Sequence, residues 1–253
     1  MDQPAQPLTA LFHEVFEALP RQGPGNRACT QRALALCIGL PPAPAVLDLG
    51  CGSGASTLHL AELTAGTIVA VDLHAPAIER LRATLAARGL TERVRALVGD
   101  MGRLDLPAGS FDLVWSEGAL YQLGLDAALR VCHALLRPGG SLAFTDAVWR
   151  TADPPAEVRA AFVDDYPTMG QVPDVLAAIG RAGFVTVGHF TLPDEAWWDD
   201  FYTPMQQRIA ALRAHHAGNR EAVAALDLIA AEPEMHRRHS DCYAYECFVA
   251  RRA

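Results

Sequence analysis

The chain has 253 residues, of which 51% are hydrophobic and 20% charged, a balance that excludes a disordered or fibrous protein and is ample for a buried core. Twenty-one cations, all arginine, stand against twenty-nine carboxylates for a net charge of −8. The closest arginine pairs, Arg237-Arg238 and Arg251-Arg252, are short, so no basic stripe exists to track phosphates and a nucleic-acid substrate is excluded in favour of a small molecule.

The N-terminal stretch MDQPAQPLTALFHE carries an acid where a secretory signal would be basic, and no apolar run reaches the ~18 residues of a membrane helix. Cysteines 29, 37, 51, 132, 242 and 247 form no C-x-x-C pair. Reduced thiols in a cytoplasmic protein are the expectation.

Two helical segments, about 8–19 and 27–39, are predicted first, split by the turn-forming LPRQGPGN. From residue 45 short β-branched runs alternate with helical ones. AVLDLG (45–50) reads as a strand, ASTLHLAELTA (55–65) as a helix, and TIVAVDL (67–73) as the next strand. In APAIERLRATLAARG (75–89), Ile78, Leu81 and Leu85 recur on one helical face, and Gly89 closes the element. Strands follow at 93–99, 111–118 and 141–149, with a helix at 126–137 that RPGG (137–140) stops. FVTVGHF (184–190) and YAYECFVAR (243–251) complete the strands. This alternation predicts an α/β fold with a doubly wound, mostly parallel sheet covered on both faces.

Three pieces break the alternation: residues 1–44, a helical N-terminal cap; 150–170, Pro-rich and acidic; and 193–240, a mostly helical late insertion. Ligands of open α/β sheets sit beyond the carboxyl ends of the strands. All three pieces are therefore expected to cover that edge of a single domain, with the main body at 45–253.

VLDLGCGSGAS (46–56) is the most informative stretch. Gly50, Gly52 and Gly54 allow a tight turn and close approach to a ligand, and the following helix aims its N-terminal amides at the same place. Asp72 ends the next strand 18 residues beyond Gly54, where a carboxylate can accept both hydroxyls of a ribose.

With these residues the chain resembles the class I S-adenosylmethionine-dependent methyltransferases over most of residues 45–190. The resemblance implies that the loop of Asp48, Gly50, Cys51, Gly52 and Gly54 holds the methionine part of S-adenosyl-L-methionine. It places Asp72 and Leu73 at the ribose and Asp100 and Met101, from Gly99-Asp100-Met101, near the adenine. FDLVWSEGALY matches the family's fourth strand, including Ser116 and Glu117, and LLRPGG its turn before the fifth. A narrower resemblance is to the small-molecule branch that includes ubiquinone and menaquinone biosynthesis enzymes. It implies seven strands in the order 3-2-1-4-5-7-6 with the last antiparallel, and S-adenosyl-L-homocysteine as product.

Methyl transfer needs alignment, a water-poor cavity and sometimes a base. Glu117, Tyr121 and Asp146 are the catalytic candidates. Glu117 could be a base or a helix-terminus partner, Asp146 a base or a structural acid, and Tyr121 a catalyst or a packed lid residue. Asn26 could simply cap the helix of residues 27–39, or Asn26 and Arg27 could close over the cofactor with Arg27 near its carboxylate. Trp197, Trp198, Phe201 and Tyr202 either pack the insertion or wall an acceptor pocket. His215, His216, His236, His239 and Cys242 lack zinc-type spacing, and no metal is expected. Ser116-Glu117-Gly118-Ala119 stands where base-directed methyltransferases carry Asn/Asp-Pro-Pro-Tyr. A small organic acceptor is the expectation, against a non-catalytic cofactor-binding module or an enzyme that keeps the methyl group in place.

Overall fold

A computed structural model describes residues 6–253; the first residues of the expected cap and of the acid-bearing N-terminal stretch lie outside that range. The cap contributes α1 (Gln6–Phe16) and α2 (Arg27–Leu36). The core alternates β1 (Ala45–Leu49), α3 (Ala55–Leu63), β2 (Thr67–Asp72), α4 (Ala75–Ala87), β3 (Val94–Val98) and β4 (Phe111–Glu117). Then come α5 (Leu125–Leu135), β5 (Leu136–Trp149), α6 (Ala156–Val163), α7 (Val172–Arg181) and β6 (Phe184–Thr191). The insertion holds α8 (Glu195–Trp197), a π-turn at Trp198–Tyr202, α9 (Thr203–His215) and α10 (Arg220–His239), before β7 (Tyr243–Arg252).

The sheet has the expected order β3-β2-β1-β4-β5-β7-β6, with β7 antiparallel to both neighbours. Its centre is apolar on both faces: Val46, Leu47, Leu113 and Val114 are fully buried, as parallel strands between helical layers require. The chain winds outward in both directions from β1 and β4, so their carboxyl ends open a crevice at the reversal point.

RPGG does not form the separate turn expected of it. α5 ends at Leu135, Leu136 is already extended, and Arg137–Gly140 lie within a bulged β5. Leu136 pairs with Phe111 and Ser141 with Leu113, so the extra residues are looped out of register. Pro138 keeps the preceding residue out of helical conformation, which ends α5 early.

The cap and the insertion share a core of their own. Leu11, Val15 and Leu19 pack with Met205 and Ile209 of α9 and Leu226 and Ile229 of α10. Val158 of α6 and Tyr243 of β7 join them. No helix among the described residues is long and apolar enough to cross a membrane.

Candidate functional site

The β1–α3 turn is built by its glycines and by β2. Gly50, Gly52 and Gly54 all take positive φ (69°, 53° and 93°). The Gly50 and Cys51 amides both donate to the Val71 carbonyl, at 2.8 and 3.0 Å. A Cβ on Gly50 would strike that of Ala119, and one on Gly54 would strike Leu81. Asp72 completes the turn: its carboxylate accepts the Gly52 amide at 2.7 Å and the His74 amide at 2.8 Å. α3 then begins at Ala55 with no side-chain cap, so its first amides remain open to a ligand.

This turn is one wall of a cavity of about 1020 Å³. Gly50, Cys51, Gly52, Asp72 and Leu73 line it, and Asp100 and Met101 follow from the end of β3. Glu117 and Tyr121 line it beyond β4. Asp100 braces its own loop by accepting the Gly102 amide at 2.8 Å.

Six of the residues expected at the site lie outside the cavity wall, each for a local reason. Asp48 is fully buried beneath the turn, where it accepts hydrogen bonds from Thr57 at 2.6 Å and Ser56 at 3.1 Å. Burial pushes its carboxyl up to about 7, so it anchors the start of α3 from below. Gly54 packs against α4. The Ser116 hydroxyl donates inward to the Leu49 carbonyl at 2.8 Å. Asn26 is an N-cap, its Oδ1 accepting the Cys29 amide at 2.9 Å. Arg27 points to the surface and pairs with Glu62 at 3.2 Å. Asp146 is buried behind Tyr166, and reaches the cavity only through that hydroxyl.

Arg21, at the other end of the same turn, does enter the cavity. Only 6% exposed, it ion-pairs with Glu117 Oε2 and donates to the carbonyl oxygens of Gly23 and Pro24. Its Nη1 is buried with no partner among the described residues. Glu117 is held from the other side by the Trp115 indole N–H, 2.8 Å from Oε1. Gln22 beside it accepts the Ser53 amide at 3.4 Å.

The opposite end of the cavity is aromatic. Tyr166 follows α6, Trp197 ends α8, Tyr202 ends the π-turn, and Tyr243 and Tyr245 come from β7. Trp149 and Trp198 do not line it: Trp149 packs edge-on against Phe162, and Trp198 against Tyr202. Two acids back the tyrosines, Asp146 buried behind Tyr166 and Glu232 half-buried in the wall beside Tyr202. Tyr166 donates to Asp146 at 2.8 Å and Tyr202 to Glu232 at 3.1 Å. Burial pushes both carboxyls up to about 7.

The histidines of the insertion have packing roles: His236 stacks on Trp197 at 4.1 Å, and His239 sits 2.7 Å from Glu157. A different group, His13, Glu17 and His74, brings one ligand-type atom from each within 4.8 Å. Arg80 already occupies the second Glu17 oxygen at 2.7 Å, so the arrangement reads as an ion-pair latch from α1 to the β2–α4 loop. Those bonds hold the Glu17 carboxyl below the usual range.

Residues 46–140 match the family model described as a methyltransferase domain. A malonyl-acyl-carrier-protein O-methyltransferase from Methylovorus sp. (strain MP688) is 34% identical over 190 residues, 68% of this chain and 60% of that protein. The chain spans between about two fifths and three fifths of the length of the curated relatives it matches. A methyltransferase from Geobacter sulfurreducens, solved with S-adenosyl-L-homocysteine, superposes with a TM-score of 0.81 at 19% identity, covering 98% of both chains. The 4+2 cyclase SpnF superposes at 0.76 with 21% identity, covering 97% of this chain and 92% of its own. Both likenesses are of fold.

Proposed function

We propose that this chain is a class I S-adenosylmethionine-dependent methyltransferase, and that this cavity moves a methyl group from S-adenosyl-L-methionine to a small organic acceptor. When bound, that cofactor supplies a methyl carbon on a positively charged sulfur. The residues present fit it. Gly50 and Gly52 hold the positive-φ turn that lines the cavity beside the uncapped start of α3, suited to the methionine part. The unsatisfied Arg21 Nη1 is a buried donor waiting for an acceptor, and a carboxylate suits it. Asp72 keeps free lone pairs beyond its two amide bonds, suited to ribose hydroxyls, and Leu73, Asp100 and Met101 continue the wall for a base. A buried, unpartnered guanidinium nitrogen on Arg21, which lines the same cavity as the glycine turn, is the observation that carries the proposal.

The chain's own contribution to the transfer is alignment, exclusion of water and handling of one proton. Glu117 is committed to Arg21 and Trp115 and serves as a positioning residue. Tyr166 is the group that can touch the acceptor. An acceptor proton passed to its oxygen is matched by its own proton passing along the 2.8 Å hydrogen bond to Asp146, which acts through Tyr166. Tyr121, with its ring centroid 5.0 Å from that of Tyr166, is placed to orient the acceptor. The segments 150–170 and 193–240, with the cap, form the covering wall. The six cysteines are free thiols, which suits the cytoplasm.

Calorimetry with S-adenosyl-L-homocysteine should give micromolar binding, and NAD none. Incubation with methyl-labelled cofactor and metabolite extracts should then label a small product. Binding without any labelled product across broad extracts would instead favour a regulatory module or a reaction that leaves the methyl group in place.

A further inference from the structure

The acceptor end of the cavity has a charge pattern that selects among acceptors. Glu232 of α10 lines it, and among the described residues its one hydrogen-bond partner is the Tyr202 hydroxyl. Asp165 lines the same wall and raises Glu232 further. Arg238, the cation of that wall, is engaged by Glu234 at 3.7 Å and Glu157 at 4.0 Å. Tyr202 and Trp197 line the cavity with these acids, their ring centroids 5.8 Å apart, each with one face stacked on a neighbour.

An anionic acceptor would meet Glu232 and Asp165 with no free cation to offset them. A neutral one would draw no charge-assisted contact from Glu232. A cation gains from both features, because a carboxylate pairs with it and aromatic faces attract it. We infer that the acceptor is an organic amine that enters as its ammonium ion, with Glu232 as the specificity-determining residue and Tyr202 and Trp197 as flanking faces. The inference rests on the methyl-transfer reading above.

The step balances. The ammonium N–H proton passes to the Tyr166 oxygen while the Tyr166 proton passes to Asp146, which frees the nitrogen lone pair. The carbon–nitrogen bond then forms as the carbon–sulfur bond breaks, its electron pair remaining on sulfur. The product leaves as the methylated ammonium ion, and Asp146 returns its proton to water. Burial of Asp146 and Glu232, each carboxyl pushed up to about 7, keeps the wall from carrying two bare charges until a cation arrives.

The test uses the full chain saturated with S-adenosyl-L-homocysteine. Calorimetry compares three probes with one ring and different charge: 2-phenylethylamine, 2-phenylethanol and phenylacetate. The amine should bind roughly tenfold tighter than the alcohol, as a charge-assisted contact implies, and phenylacetate should not bind. Glu232→Gln should bring the amine to the level of the alcohol while S-adenosyl-L-homocysteine affinity stays within about twofold. Asp165 is exposed, so Asp165→Asn keeps the fold and should weaken the amine severalfold in low salt. Equal or tighter binding of the alcohol or the acid, an unchanged amine preference in Glu232→Gln and Asp165→Asn, or no binding of any probe overturns the amine assignment. Failure of S-adenosyl-L-homocysteine itself to bind is a separate result, and it overturns the methyl-transfer reading first.

Discussion

Arg21, in the turn before α2, forms a buried ion pair with Glu117 at the end of β4, 96 residues away. The pair joins the cap to the crevice at the centre of the sheet, and Arg21 has one further buried nitrogen to offer. Arg21→Ala should therefore weaken S-adenosyl-L-homocysteine by about 1.5–3 kcal/mol, roughly tenfold to a hundredfold. It should also lower stability, since Glu117 is left buried beside Trp115 without its cation. The double variant Arg21→Ala/Glu117→Gln should recover the stability and not the affinity. Arg27→Ala, on the surface with Glu62, should leave both within experimental error. Calorimetry and urea unfolding of the four proteins check these outcomes, and an affinity loss in Arg27→Ala equal to that in Arg21→Ala would return the carboxylate to Arg27.

Asp72 has two duties, and a substitution series separates them. Asp72→Ala removes the charged acceptor and releases the Gly52 and His74 amides, so the cofactor should weaken by ~1.5–3 kcal/mol and the turn should loosen. Asp72→Asn keeps one carbonyl acceptor and should fall between wild type and Ala in both affinity and melting temperature. Unchanged affinity in Asp72→Ala would remove the ribose assignment.

The contrast between Asp72 and Arg21 shows what was readable from sequence and what was not. The glycine turn, its strand and Asp72 work through contacts set by local geometry, since β1 and β2 pair in register from Ala45 with Thr67 to Leu49 with Val71. A strand–turn–helix of that composition has few other ways to fold, and the strand order follows from the same alternation. Arg21 and Arg27 both flank one turn and look equivalent in sequence. Only the placement of β4 beside β1 brings Glu117 to the first and leaves the second in solvent. Asp146 and Tyr166 likewise stand 20 residues apart across a Pro-rich stretch, and their contact depends on α6 folding back over β5. The aromatic insertion was legible as a concentration of rings, but which rings face the cavity was set by the π-turn, which aims Phe201 and Tyr202 inward and leaves Trp198 against Tyr202.

Asp146 makes stability depend on pH in a definite direction. Burial raises its carboxyl from 3.8 to about 7 in the fold. Between about pH 4 and 7 the unfolded chain gives up this proton while the folded chain keeps it, so stability falls as pH rises through that window. The shift bounds the swing at about 4 kcal/mol. Asp146→Asn has no such proton, so relative to wild type it should be more stable at pH 8 than at pH 5 in urea unfolding. Methylation by wild type should climb as pH rises through about 7, when Asp146 can accept a proton from Tyr166. Asp146→Asn should lose that limb and run roughly tenfold or more slower. A variant that keeps the limb would leave Asp146 a purely structural acid.

Gly50 and Gly89 both need positive φ, 69° and 65°, but only one is crowded. A Cβ at Gly50 would strike Ala119, whereas one at Gly89 meets nothing within 4 Å. Gly89→Ala should cost about 1–2 kcal/mol from backbone strain alone. Gly50→Ala should cost more and also weaken S-adenosyl-L-homocysteine, with Ala119→Gly restoring part of the stability. Equal losses at the two sites would mean that the β1–α3 turn has room the structure does not show.

The covering wall should move as one body, because its parts share a core. Leu11 and Val15 of α1 are buried with Ile209 of α9 and Leu226 of α10, and Glu17 latches α1 to His74 and Arg80 beside the candidate ribose site. An element that opened alone would expose those side chains and break that latch, so cap and insertion should share one opening free energy. Cofactor binding should slow hydrogen exchange in the 21–27 turn, where Arg21 and Gln22 face the cavity. Acceptor binding should then slow α1, α9 and α10 together, as Tyr202 just before α9 and Glu232 of α10 close on it. Glu17→Gln weakens the latch and should speed exchange in α10 as well as in α1, although the side-chain partners of Glu17 lie only in α1, α4 and the loop before α4. Faster exchange confined to α1 would show that cap and insertion open separately, and uniform protection in every ligand state would make the wall a static part of the core.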